Sequence, residues 1–124
     1  TVVCQDITLQ LDANGQASIE TTDIDNGSYD NCDFSLSLDI TAFDCSNVGP
    51  NTVILTGTDA SGNASTCTAT VTVEDHVLPN AFCQDITLQL DANGQASITP
   101  ADIDNGSNDA CGIANLSLSQ YNFD

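Results

Sequence analysis

The chain contains 124 residues, of which 18 are Asp or Glu and none is Lys or Arg, so its formal net charge is −18. Nucleic acids and anionic membrane surfaces are bound through basic side chains, and this composition therefore argues against both as partners. No apolar run approaches the roughly 20 residues of a membrane-spanning helix, so we expect no membrane insertion.

The first predicted elements lie near the start of the chain. Apolar residues occupy every second position of residues 7–12, which is the pattern of a half-buried strand. The dipeptide Asn14-Gly15 then supplies a turn that tolerates positive φ, and the alternation resumes at residues 17–19. This stretch therefore predicts a β-hairpin.

Further strands are predicted along the middle of the chain. A loop rich in Asp and Asn, residues 23–32, precedes a strand over residues 34–40 and a shorter segment that ends at Cys45. Residues 46–51 then have the composition of a turn, with Gly49-Pro50 at its centre.

Two more strands follow, at residues 53–58 and 67–73, and a turn at residues 59–63 joins them. Helical periodicity is absent throughout. Six or seven short strands within about 80 residues are typical of two packed sheets, so we predict an all-β fold of the β-sandwich kind.

The chain repeats itself. Residues 4–19, CQDITLQLDANGQASI, recur letter for letter as residues 83–98, an offset of 79 (83 minus 4). A period of this length matches one small domain, so we predict a complete repeat with its linker at 1–79 and a truncated second copy at 80–124. The linker is short, which predicts an end-to-end rod.

The second copy is shorter than the first, and both ends of the sequence fall within the repeat. We therefore expect both ends to be cuts in a longer polypeptide made of further copies. The alternative is a subunit whose last domain is completed by strands from another chain.

Six cysteines occur without any CxxC pair, and His76 is the only histidine. This pattern favours disulfides over zinc or redox chemistry. It predicts an oxidising environment and hence an extracellular or cell-surface location.

The run TDASGNASTCTATVTVED, followed by a proline and a cysteine at the start of the next unit, resembles the hyalin-repeat (HYR) module and related immunoglobulin-like repeats of extracellular proteins. The residues that carry the resemblance are Thr58, Asp59, Gly62, Asn63, Cys67, Val71, Val73, Asp75 and Pro79. With CQDIT at residues 4–8, the sequence is similar to a four-cysteine variant found in tandem on bacterial adhesin-like surface proteins. The resemblance implies tandem immunoglobulin-like β-sandwich domains with an adhesive or structural role outside the cell.

The four cysteines of the complete repeat allow three pairings. In the immunoglobulin-like order that the resemblance implies, the first and last strands run side by side and parallel. That order brings Cys4 to Cys67 and leaves Cys32 to pair with Cys45. The second pair departs from the two-cysteine HYR pattern.

Carboxylates are concentrated in a loop that occurs twice, as DIDNGSYD at residues 23–30 (the first acidic loop) and as DIDNGSND at residues 102–109 (the second acidic loop). Ca²⁺ takes six to eight oxygen ligands from flexible loops, and no basic side chain offsets the repulsion between these acids. The candidate ligands are Asp23, Asp25, Asp30, Asp102, Asp104, Asp109, Glu74 and Asp75. We expect the second acidic loop to face Glu74 and Asp75 across the junction of the repeats, in a calcium-stiffened joint. The alternative is an ordinary turn with solvated charges.

These features favour a structural or adhesive repeat protein that forms a rod, stalk or filament with further copies of itself. The alternative is a carbohydrate- or ligand-binding module, for which Tyr29 and Tyr121 would have to supply the aromatic surface.

Glycans are further candidate partners, because four Asn-x-Ser sequons are present, at Asn26, Asn63, Asn105 and Asn115. With one histidine and no lysine, we expect no enzymatic activity.

Overall fold

The computed structural model describes all of residues 1–124. The chain divides into two compact units, Thr1–Val77 and Leu78–Asp124. Strands dominate the first unit, the second unit has two strands of two residues each, and the only helical elements are three or four residues long. The structure is therefore consistent with the predicted all-β fold. No helix in the chain has the length and hydropathy needed to cross a membrane.

The first unit contains six strands and two short helical segments. In chain order they are β1 (Ile7–Gln10), β2 (Gln16–Ser18), α1 (Thr21–Ile24), β3 (Phe34–Leu38), β4 (Ala42–Asp44), a 3₁₀ helix (Cys45–Asn47), β5 (Gly49–Asp59) and β6 (Ala64–Glu74). The strands predicted in the middle and at the end of the repeat are thus present, and β5 and β6 are the longest.

The strands of the first unit form two sheets. A four-stranded sheet has the order β1-β6-β5-β3, and a two-stranded sheet pairs β2 with β4. β1 runs parallel to β6, with Ile7 opposite Val71 and Leu9 opposite Val73, whereas the other pairs are antiparallel. The prediction that the first and last strands lie side by side and parallel is confirmed.

One face of the four-stranded sheet supplies most of the core. Along β5, Val53 and Leu55 are fully buried, while Ile54 between them is 38 % exposed, as the alternation of a strand requires. Across the ladder Val53 lies opposite Ala69, so their side chains share the buried face. No polar or charged side chain is buried. The buried apolar side chains are Leu11, Ile19, Ile24, Phe43, Val53, Leu55, Ala69, Val71 and Val73.

The predicted hairpin at residues 7–19 is wrong. The turn itself forms, because Gly15 N donates to Asp12 O at 2.9 Å and Gly15 adopts φ of 73°. The strands on either side of it then join different sheets, β1 with β6 and β2 with β4. Alternation identifies the buried face of a strand but not its neighbour, and the turn passes from one sheet to the other.

The predicted turn at residues 46–51 is also shorter than expected. A 3₁₀ helix occupies Cys45–Asn47, and β5 already begins at Gly49 and includes Pro50. β3 pairs only with the Leu55–Asp59 part of β5. The first half of β5 therefore has no neighbouring strand on the side where β3 lies. Proline is tolerated there because no neighbouring strand needs its missing N–H.

The second unit contains β7 (Ala96–Ser97), α2 (Pro100–Ile103) and β8 (Asn122–Phe123). It reproduces part of the first unit. Ala96 pairs with Phe123 as Ala17 pairs with Phe43. Residues 86–89, although identical in sequence to β1, do not form a strand.

Candidate functional site

The first acidic loop is organised by its own carboxylates. Asp23 lies within α1, and its Oδ2 accepts a 2.7 Å hydrogen bond from Glu20 N, which caps the start of the helix. Asp25 follows the helix and accepts from Ser28 N at 2.9 Å, and Asp30 accepts from Asn31 N at 2.7 Å. These side chains therefore satisfy backbone donors of the loop.

The second acidic loop repeats this arrangement. Asp102 accepts from Thr99 N at 2.8 Å, and Asp104 accepts from Ser107 N at 2.9 Å. Asp109 differs from its counterpart, because it accepts from Cys111 N at 2.9 Å. The same sequence thus produces the same capped turn in both units.

Two of these carboxyl groups have lowered pKa values. The hydroxyl and the backbone N–H of Ser28 lower the pKa of Asp25, and Ser107 lowers the pKa of Asp104 in the same way. Hydrogen bonds to the ionised form favour that form, so both carboxylates keep their charge to a lower pH than an ordinary Asp.

Neither acidic loop brings its carboxylates close enough together to form a metal site from its own side chains. In each unit taken by itself, no three carboxylate, imidazole or thiol groups have ligand atoms that all lie within 4.8 Å of one another. The carboxylates of one acidic loop are therefore not close enough together to coordinate one ion jointly. Most of the six to eight oxygen ligands of a Ca²⁺ ion would have to come from carbonyls, water or other segments.

Glu74 and Asp75 lie at the end of the first unit. Glu74 is the last residue of β6, and its Oε2 accepts a 2.7 Å hydrogen bond from Gln10 Nε2 and lies 2.8 Å from His76 Nε2. The hydrogen bonds from Gln10 and His76 lower the pKa of Glu74. Asp75 accepts from Val77 N at 3.1 Å.

The structure assigns many other Asp side chains to turns. Asp59 accepts from Ser61 N and Asn63 N at 2.9 and 2.8 Å and from Asn63 Nδ2 at 3.0 Å, and Asn63 is the main cause of its lowered pKa. Asp12 holds the turn after β1 in the same manner. This role was not predicted from the sequence, although Asp and Asn side chains in turns commonly accept a hydrogen bond from the backbone two residues further on.

The disulfide between Cys4 and Cys67 is present, with Cα atoms 5.9 Å apart and a sequence separation of 63. It joins the segment just before β1 to β6, which are the strands that pair in parallel. A disulfide of this kind fits an oxidising environment.

The predicted disulfide between Cys32 and Cys45 is wrong, because Cys32 has a free, exposed thiol. Cys32 precedes β3 of the four-stranded sheet, whereas Cys45 follows β4 of the two-stranded sheet. Cys32 and Cys45 were paired by elimination once Cys4 was joined to Cys67, and elimination carries no information about the distance between the remaining two cysteines.

A cleft of about 200 Å³ lies on the first unit, and its lining includes Tyr29, Asp30, Phe34, Asp59 and Asn63. Tyr29 is 64 % exposed. An exposed ring beside carboxylate and amide groups is able to stack on and hydrogen-bond a polar ligand such as a sugar.

The chain matches no protein-family model, and no curated protein is significantly similar to it in sequence.

Proposed function

We propose that this chain is part of an extracellular structural or adhesive protein in which immunoglobulin-like, HYR-like repeats follow one another in a rod, stalk or filament. The observation that carries the proposal is the repetition itself. Residues 4–19 and 83–98 are identical, and the capped helical turns α1 and α2 and the pairs Ala17 with Phe43 and Ala96 with Phe123 recur with them. A spacer gains length from each added copy, whereas a single-substrate site needs only one.

The path of tension through the first unit also supports a mechanical role. Cys4 lies near the start of this unit and Cys67 near its end, so a force that pulls on the two ends of the unit passes through the disulfide between them. Residues 5–66 are outside that covalent path. Most of the core, including Val53 and Leu55, is therefore protected from the applied force.

The carboxylates supply the second part of the proposal, which is that Ca²⁺ binds them. The chain carries a formal charge of −18 with histidine counted as neutral, and its only basic side chain is His76, whose Nε2 lies 2.8 Å from Glu74 Oε2. A bound divalent cation would lower the electrostatic repulsion between the carboxylates of the acidic loops and of Glu74 and Asp75, because its two positive charges offset theirs.

Calcium binding is tested by thermal unfolding of the chain in CaCl₂ and in NaCl at equal ionic strength. We expect Ca²⁺ to raise Tm further than Na⁺ does, and replacing Asp102, Asp104 and Asp109 with Asn to reduce the difference. Asp33→Asn is the matched control, because Asp33 is an exposed acid outside both loops and accepts no hydrogen bond. Equal effects of the two salts would contradict specific Ca²⁺ binding and indicate charge screening alone.

The structural role is tested by electron microscopy of the native protein before and after calcium chelation. Straight, regularly spaced rods that become flexible in chelator are expected. Rods that stay straight in chelator would support the tandem array and contradict the proposal that calcium stiffens it. Isolated globular particles would contradict the array.

A second candidate function is carbohydrate binding, which the Tyr29 cleft favours. It predicts glycan-array binding by the chain that Tyr29→Ala abolishes. Tyr121→Phe is the matched control because it removes a hydroxyl from a tyrosine that does not line this cleft. Binding that survives Tyr29→Ala would rule out this cleft.

A further inference from the structure

The dipeptide Asn-Gly occurs four times in the chain, and the structure gives these four sites two different environments. An asparagine that precedes glycine is open to attack on its side-chain amide by the next backbone nitrogen, because glycine has no side chain to hinder the approach. Whether that nitrogen is free therefore decides how readily the asparagine reacts. The four dipeptides are Asn14-Gly15, Asn26-Gly27, Asn93-Gly94 and Asn105-Gly106.

Two of the dipeptides, at residues 14 and 93, lie in tight turns that hold the glycine nitrogen. Gly15 N donates to Asp12 O at 2.9 Å. Gly94 N makes the equivalent bond to Asp91 O, also at 2.9 Å. The carboxylate of Asp12 further accepts from Asn14 N at 2.8 Å, which fixes the turn. Each glycine nitrogen must give up a hydrogen bond before it attacks, and this raises the barrier to the reaction.

The other two dipeptides, at residues 26 and 105, lie in the acidic loops and leave the glycine nitrogen free. Gly27 and Gly106 donate no hydrogen bond, and both glycines are exposed. Asn26 and Asn105 are exposed as well, and no hydrogen bond holds either side-chain amide. A Cβ atom placed on either glycine would meet no atom within 4 Å, so the space around the reacting groups is open.

The residues on both sides of Gly27 are anchored, so its free nitrogen is a feature of an ordered loop. Asn26 N donates to Val3 O at 2.8 Å, and the Ser28 hydroxyl accepts from Val3 N at 2.9 Å. Gly27 stands between these two anchors with φ of 83°. The second acidic loop makes the same two bonds in the second unit.

We propose that Asn26 and Asn105 are modification sites at which the protein converts its own asparagine into aspartate or isoaspartate, while Asn14 and Asn93 stay intact in the folded chain. Water is the only co-reactant. Neither a rod nor bound calcium is needed for this reaction.

The reaction is an intramolecular ring closure followed by hydrolysis. The glycine nitrogen loses its proton to hydroxide and attacks Cγ of the preceding asparagine, which the chain already holds beside it. A bond between this nitrogen and Cγ forms, the bond between Cγ and Nδ2 breaks, and the departing nitrogen takes the electron pair and a proton and leaves as ammonia. Water then opens the cyclic imide. Cleavage at Cγ gives aspartate, and cleavage at the backbone carbonyl carbon gives isoaspartate.

The isoaspartate product changes the anchors of the first acidic loop. Its main chain runs through Cβ and Cγ, so one more carbon atom stands between residue 26 and Ser28. The bond from residue 26 to Val3 O and the bond from Val3 N to the Ser28 hydroxyl then no longer fit together. Both products add one negative charge to the loop.

The test incubates the folded chain of residues 1–124 at mildly alkaline pH in water enriched in heavy oxygen. Each completed event incorporates one oxygen atom from this water, and mass spectrometry of peptides digested in ordinary water locates it. We expect label at Asn26 and Asn105 to appear at least about fivefold faster than at Asn14 and Asn93. This is the rate factor that the net strength of one backbone hydrogen bond provides.

The unfolded chain is the control for the dipeptide sequence itself. In urea, with the disulfides reduced, the four sites have the same chemistry without the turns, and we expect their rates to become equal. In the folded protein, amide exchange at Val3 is expected to become faster as isoaspartate accumulates at residue 26. Asn26→Gln is the matched variant, because its longer side chain closes the ring poorly, and it is expected to keep the slow exchange.

Asp12→Ala tests the protection of the tight turn. It removes the carboxylate that accepts from Asn14 N and is expected to speed the modification of Asn14. Asn93 is the internal control, because its own turn is unchanged and its rate should stay low. Slow amide exchange at the buried Val53 checks that the first unit of the variant remains folded.

Equal rates at the four sites of the folded wild-type chain would overturn the proposal. Faster labelling of Asn14 and Asn93 than of Asn26 and Asn105 would also overturn it, because the hydrogen-bonded glycine nitrogens would then be the more reactive ones.

Discussion

Asp6 Oδ1 accepts a 2.8 Å hydrogen bond from the backbone N–H of Thr70, which lies 64 residues away in the sequence. The bond stands at the start of the parallel ladder between β1 and β6, one residue before the pair of Ile7 and Val71. A hydrogen bond to an ionised acceptor is stronger than a neutral one, so Asp6 helps to hold the register of the two strands.

Replacing this carboxylate gives the first prediction. Asp6→Ala leaves Thr70 N–H without its acceptor and is expected to lower the free energy of unfolding by about 1 kcal/mol in chemical denaturation. The repeat provides the control. Asp85→Ala changes the same residue in the same sequence context, where no hydrogen bond is made, and is expected to leave stability unchanged. Equal losses in the two variants would contradict a register role for Asp6.

Neighbouring positions of β5 provide the second prediction. Leu55 is fully buried, so Leu55→Ala is expected to cost about 2 to 5 kcal/mol of stability through the cavity that it creates. Ile54 is exposed on the opposite face, and Ile54→Ala is expected to cost less than about 1 kcal/mol. Comparable losses in urea unfolding would show that the buried face of this sheet has been misassigned.

Acid stability gives the third prediction. The side chain of Asn63 is the main cause of the lowered pKa of Asp59. A carboxyl group whose pKa is lower in the folded state stabilises the fold above its unfolded pKa of about 4. That stabilisation is lost as the pH falls through the lower folded pKa. The decline of Tm below about pH 4 is therefore expected to be steeper in the wild type than in Asp59→Asn, which cannot titrate.

Asn63→Ala is the second variant in this test. It keeps the carboxylate of Asp59 and removes the side-chain donor that lies 3.0 Å from it. Its decline of Tm with acid is expected to fall between those of the wild type and Asp59→Asn. Three identical profiles would contradict a stabilising ionised Asp59.

Much of the strand pattern could be predicted from alternation, because a half-buried strand places an apolar residue at every second position. The parallel neighbours β1 and β6 were predicted from the immunoglobulin-like strand order. The partner of β2 was not predicted correctly. Alternation at residues 17–19 shows which side chains face inward, but it does not show whether β1 or β4 lies beside β2. The incorrect hairpin follows from this gap, whereas the incorrect bond of Cys32 came from pairing the remaining two cysteines by elimination.

The acids show a second limit of the sequence. Sixteen Asp residues without any basic residue suggest cation binding, and composition does not distinguish a metal ligand from the acceptor of a turn. Asp23 and Asp25 bond to backbone N–H groups two or more residues away in their own loop. Such short-range bonds depend on loop geometry, which the sequence reveals only through the Asp, Asn and Gly pattern.

The disulfide between Cys4 and Cys67 gives the fourth prediction, which concerns stability. It closes a loop with a sequence separation of 63, and on the chain-entropy model this constraint of the unfolded state contributes about 4 kcal/mol. The double variant Cys4→Ser, Cys67→Ser is expected to lose a stability of that order in chemical denaturation. Cys32→Ser removes a free, exposed thiol and is the control that should change nothing.

The same bond predicts the response of the first unit to force. With handles on Thr1 and on His76, tension passes from Cys4 to Cys67 through the sulfur atoms, so the residues between them do not extend when the wild-type unit is pulled. In the double serine variant they do extend, and at roughly 3.3 to 3.6 Å per residue the contour length on unfolding is expected to increase by about 200 Å. An optical-tweezers measurement gives this length directly. An equal contour length in the two proteins would mean that the disulfide is not on the path of tension, and the mechanical argument for the repeat would then fail.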